Sequence, residues 1–114
     1  MAAGPINITI DQRGAAMVVT PVGDIGYTEA KPFQEALRSA NDKKTPILVV
    51  DLSKVEYINT PGLATLVEAL QRTKQRGAKL ALAGLTPKVK SIIDLTRLNT
   101  VFAIVPDVNA GLQI

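Results

Sequence analysis

The chain has 114 residues, 46% hydrophobic, 20% charged and only 4% aromatic, with no cysteine, no histidine and a formal net charge of +3. That is one domain's length, enough to bury roughly two-thirds of the unfolded surface around a core that aliphatic side chains must fill. The missing residue types exclude disulfides, the common zinc sites, thiol nucleophiles and imidazole bases, which leaves carboxylates, hydroxyls, Lys and Arg for any catalysis. The Lys and Arg are scattered, which argues against a nucleic-acid partner. Neither a long apolar span nor a charged leader is present, so the expectation is a soluble cytoplasmic protein without membrane insertion, metal or cofactor, and not an enzyme.

Residues 1–5 read as a disordered lead. Ile6, Ile8 and Ile10 then alternate with Asn7, Thr9 and Asp11 in the period of a half-buried strand. Arg13-Gly14 is a turn, Ala16 to Thr20 a second, antiparallel strand, and Pro21 an end, a bulge or an edge. After the Gly23-Asp24-Ile25-Gly26 loop, Thr28 and Glu29 open a helix with an apolar stripe at Phe33, Ala36, Leu37 and Ala40, and Pro32 fits only in its first turns. Ile47 to Val50 is a continuous β-branched and apolar run expected to be covered on both faces. The next helix carries Leu63, Leu66, Val67 and Leu70 on one stripe, with Thr60 as its N-cap and Pro61 at its first position.

Gln71 to Arg76 closes that helix with cations near its negative end, and Gly77 suits the position just beyond it. The basic cluster Arg72, Lys74, Arg76 and Lys79 therefore reads as a solvated helix end rather than a phosphate-binding patch. Leu80 to Ala83 is a buried parallel strand, and Thr86-Pro87 repeats the cap-plus-proline signal before a short helix on Val89, Ile92 and Ile93 that runs to about Leu98. Val101 to Val105 is the last strand, and Asn109 to Ile114 a terminal helix or a frayed tail. The order β-β-α-β-α-β-α-β implies an α/β fold with a mixed sheet of about five strands and helices mainly on one face. It also sets Thr60 and the Gly84-Leu85-Thr86 loop at the same carboxyl end of the sheet, where function usually resides.

Two readings of this end compete. Thr precedes Pro at Thr20, Thr45, Thr60 and Thr86, and capping alone explains Thr60 and Thr86. Gly62 serves either a partner's close approach or packing at the first helical turn. Nothing in the spacing of Asp51, Glu56 and Asp94 brings them together as an acid/base pair. A complete set of amphipathic elements without a long exposed apolar run implies a cooperatively folding monomer or weak dimer.

DLSKVEYINTPGLATLVEAL resembles the D-L-S-x-(V/L)-x-(F/Y)-(I/M)-D-(S/T)-(S/T)-G-L segment of STAS domains, the family of bacterial anti-sigma factor antagonists. The likeness runs upstream through VTPVGDI and downstream through RGAKLALAGLTPKVKSIIDLTRLNTVF, most of a single domain. It implies the STAS fold, an anti-sigma factor with serine/threonine kinase activity as partner, and Thr60 as the phosphorylated hydroxyl. It further implies a partner surface around Gly26, Tyr27, Asn59, Thr60, Pro61, Gly62, Leu63, Gly84, Leu85 and Thr86. Asn59 replaces the motif's Asp, Pro61 its second hydroxyl residue and Gly26 an acid near the phosphorylated group. Repulsion of the phosphate should then be weaker and turnover slower. On this reading Gly62→Arg keeps the fold and abolishes partner binding. NTPGLATL also resembles the STAS subunit of phospholipid-transport ABC systems, a structural clip on an ATPase, and a ligand-binding or enzymatic module near Thr60 is a third reading.

Overall fold

The computed structural model describes residues 6–114, so the expected disorder of residues 1–5 lies outside the described residues. A hairpin of β1 (Asn7–Arg13) and β2 (Ala16–Val22) opens the fold, closed by a two-residue turn in which Gly14 takes φ +59°, a backbone that L side chains rarely adopt. α1 (Tyr27–Asp42), β3 (Ile47–Asp51), α2 (Thr60–Gln75), β4 (Lys79–Ala83), α3 (Pro87–Leu95), β5 (Ala103–Val105) and α4 (Val108–Gly111) follow. The strands lie in the order β1-β2-β3-β4-β5, with only β1 antiparallel. The pairing of β2 with β3 stops at Val19, so Pro21 lies beyond it and the strand continues against β1 alone.

One face of the sheet carries the main core. Met17, Val19, Leu48, Val50, Leu80 and Leu82 meet Phe33 and Leu37 of α1, Leu63, Leu66 and Leu70 of α2, and Val89 and Ile93 of α3. The expected stripes are therefore the buried ones, and the helices gather on this side as right-handed crossovers require. The other face is smaller: Val18, Val49 and Ala83 pack under Val105, Val108 and Leu112, so α4 caps it. The chain after α3 departs from expectation. It turns through a 3-10 segment at Leu98–Thr100, entered by Arg97 at φ 63°, and buries Phe102, which shortens β5 to three residues.

Candidate functional site

A short parallel pairing builds the corner. Ile25 bridges Ile58, the Ile25 N–H donates to the Tyr57 carbonyl at 2.9 Å and the Asn59 N–H donates to the Ile25 carbonyl at 3.0 Å. These bonds lay the loop before α1 beside the crossing before α2, so both helices start together and Gly26, Tyr27, Asn59, Thr60 and Pro61 share one edge.

The cap of α2 is Asn59 rather than Thr60. Asn59 is extended, its Oδ1 accepts from the Gly62 N–H at 3.2 Å and its carbonyl from the Leu63 N–H at 2.9 Å. Thr60 is thus the first helical residue and Pro61 the second. Its hydroxyl, spared from capping, is exposed and has no hydrogen-bond partner among the described residues. The same bonds occupy the Gly62 and Leu63 amides, so a phosphate on Thr60 would be held by the helix field and not by those two donors. Thr86 does no side-chain capping either. It stands at the N-cap of α3, but its hydroxyl donates to the Val55 carbonyl at 2.8 Å and ties that helix to the crossing.

Gly62 and Leu63 lie beneath the surface, which corrects their place in a contact surface. A Cβ on Gly62 would stand 2.6 Å from Ile58 Cγ1 and 2.9 Å from Ile25 Cγ2, so packing accounts for this glycine and Gly62→Arg cannot leave the fold intact. Gly84, at φ +67°, fits against Ser53, while Leu85 packs on the core. The Gly84-Leu85-Thr86 loop therefore supports the crossing at Ser53 and Val55, ahead of Thr60.

Other residues complete the corner. The Glu29 Oε1 accepts from the Gly26 N–H at 2.9 Å and its Oε2 from the Thr28 hydroxyl, so a carboxylate stands at the position where the sequence has only glycine. The Thr28 hydroxyl, followed by the Gly26 amide, holds this acid below the usual carboxylate range. Tyr27 is 82% exposed and overhangs an open groove of about 490 Å³ between α1 and α2, floored by Pro61, Ala64 and Thr65 and bounded by Lys31, Gln34 and Glu68. Glu68 takes a hydrogen bond from Arg38 Nη2 at 2.8 Å, which holds its carboxyl below the ordinary value. Asp51 accepts from the Ser53 N–H and Asp94 pairs with Lys90, so those carboxylates serve separate local contacts. No helix among the described residues is long and apolar enough to cross a membrane.

A five-stranded mixed sheet with one antiparallel edge, a helix layer on one face and an exposed hydroxyl at the start of α2 defines the class. Residues 7–111 match the STAS domain, and the chain belongs to that family. Over 100 residues it is 29% identical to the anti-sigma-B factor antagonist of Listeria monocytogenes, covering 87% of this chain and 88% of that protein. The crystal structure of an anti-sigma factor antagonist from Mycobacterium paratuberculosis superposes with a TM-score of 0.87 at 24% identity, covering 95% of this chain and 92% of that one. The phosphorylated form of the Bacillus cell fate determinant SpoIIAA shares the fold at a TM-score of 0.70 and 8% identity, over 91% and 96% of the two chains.

Proposed function

We propose that this STAS domain is an anti-sigma factor antagonist that binds an anti-sigma factor through the α1–α2 corner and is phosphorylated by that partner's serine/threonine kinase activity at Thr60. Its own role is then regulatory binding, with the catalysis on the partner. The carrying observation is the Thr60 hydroxyl, exposed and without a hydrogen-bond partner among the described residues, on a helix start whose cap is held by Asn59. Modification can therefore add about −1.5 to −2 charges to the surface without dismantling the helix. The likeness to the Listeria antagonist and to SpoIIAA in its phosphorylated form supports the reading.

The charges around Thr60 tune the switch. Asn59 is neutral, but Glu29 brings a carboxylate to the Gly26 amide, so one of the two negative charges missing from the motif is supplied from the next helix turn. Pro61 restricts the backbone of Thr60, which slows its fit into a kinase site. The test is incubation with a purified serine/threonine-kinase anti-sigma factor and ATP, followed by mass spectrometry. Phosphate on Thr60, accumulating slowly and loosening the complex, is expected. Modification only at Thr86 or Thr28 removes the assignment, and fast stoichiometric transfer removes the slow-turnover clause.

A further inference from the structure

We propose that the depression between the carboxyl ends of α1 and α2, at the opposite end of these helices from Thr60, binds a small oxyanion, a phosphoryl group in the first instance. The proposal is independent of the reading of Thr60.

Asn41 is 7% exposed and lines this depression of about 250 Å³ together with Arg38, Lys44, Arg72 and Arg76. Its Oδ1 accepts from Arg76 Nε at 2.9 Å, which fixes the amide orientation, since a flipped amide would set N–H against that N–H; Thr73 Oγ1 lies 3.1 Å from the same oxygen and makes its shorter bond to the Ala69 carbonyl, at 2.7 Å. The Asn41 Nδ2 is left without an acceptor among the described residues. Arg76 is in the same position. Its Nη1 donates to the Thr45 carbonyl, its Nη2 has no acceptor among the described residues, and no carboxylate pairs with it there. Burial pushes its guanidinium down from the ordinary value. The expectation of a plainly solvated cluster therefore fails at Arg76.

Two buried donors on side chains bonded to each other require an acceptor. The charge balance says which kind. Arg38 and Arg72 share the carboxylate of Glu68, Glu35 also bears on Arg38, Lys44 and Arg76 form no ion pair among the described residues, and Asp42 is the one acid lining the depression. The four cations lining the depression outnumber its one acid, and the two helix ends, at about half a negative charge each, offset only part of that excess. Water would satisfy a donor and leave that charge; an oxyanion answers both, and its several oxygens suit a guanidinium fork. Arg72 lines the depression with a loose contact to Glu68, at 3.7 Å on a half-exposed side chain, so it can turn toward an anion there.

The experiment titrates nitrogen-15-labelled protein with inorganic phosphate at fixed ionic strength, with sodium chloride as the parallel series. It follows the Asn41 side-chain amide and the Arg76 Nε–H. A saturable shift of both, weakened about tenfold in Arg72→Gln and again in Lys44→Gln, is expected. Both are exposed positions, so those variants keep the fold. A glycerol phosphate arm separates a phosphate ester from the free ion by which of the two saturates at lower concentration, and saturation by either supports the site. A linear drift that chloride reproduces, or saturation unaltered in the Arg72→Gln, Lys44→Gln double variant, overturns the proposal and leaves water as the acceptor.

Discussion

At the residue scale, the corner depends on the side chain that Gly62 lacks and the one that Asn59 has. Gly62→Ala sets a methyl 2.6 Å from Ile58 Cγ1, and a loss of about 1–3 kcal/mol in urea unfolding is expected as the first turn of α2 lifts from the bridge. Asn59→Ala removes the cap and should cost about 1 kcal/mol, whereas Asn59→Asp keeps the acceptor and adds charge at the positive helix end. Thr60→Ala should leave the melt unchanged, because that exposed hydroxyl has no hydrogen-bond partner among the described residues. The sequence alone placed Thr60 within one position of its actual role but could not decide which of Asn59 and Thr60 caps. Both residue types cap well, and only the bridge to Ile25 turns Asn59 into the extended conformation. Gly62 was equally undecided, since its clash is with Ile25, far away in sequence.

At the element scale, α1 and α2 each carry two faces. The inward stripes of Phe33 and Leu37, and of Leu63, Leu66 and Leu70, were legible from period alone, because burying them is what makes these segments helices. The outward groove was not read, although Tyr27, Lys31 and Gln34, and Pro61, Ala64 and Glu68, repeat at the same spacing. A mixed polar face carries no burial signal, and only the pairing of the two helices shows that these rows meet. Exposed Ala64 can therefore do what Gly62 cannot: Ala64→Arg fills the groove without entering the core. Its melting curve should match the parent, while binding to an anti-sigma factor, followed by calorimetry, should weaken at least tenfold. The same helices carry the acid sensitivity. Glu29 and Glu68 both lie below their ordinary values, through Thr28 and Arg38 respectively. A depressed carboxylate stabilises the fold above its unfolded value and loses that contribution as pH falls through its folded value, so loosening of the α1 start and of the α1–α2 contact should begin below about pH 4. Glu29→Gln should flatten its part of that profile in a pH series of thermal melts.

At the scale of the whole molecule, the two faces of the sheet carry separate loads. The crossovers put three helices on one side and leave Val18 and Val49 on the other, where, among the described residues, α4 and the segment around it shield them. The sequence left Asn109 to Ile114 open between helix and tail because four helical residues are too few for a periodic signal; Asp107, whose Oδ1 accepts from the Ala110 N–H at 2.9 Å, is what starts the turn. The fit is close, since a Cβ on Gly111 would lie 3.0 Å from Val49 Cγ2 and 3.1 Å from Cγ1. Gly111→Leu should therefore lift α4 and strip cover from Val18, Val49 and Ala83, at a cost of about 2–4 kcal/mol, with a lower melting temperature and association at high concentration as the bared face seeks a partner. The Thr60 corner, built by Ile25, Ile58 and Asn59 on the helix side, does not touch α4. Below its melting temperature the variant should bind an anti-sigma factor as the parent does. A Gly111→Leu protein that melts normally would show that α4 bears no load, and one that stays folded but loses binding would show that the two faces are coupled.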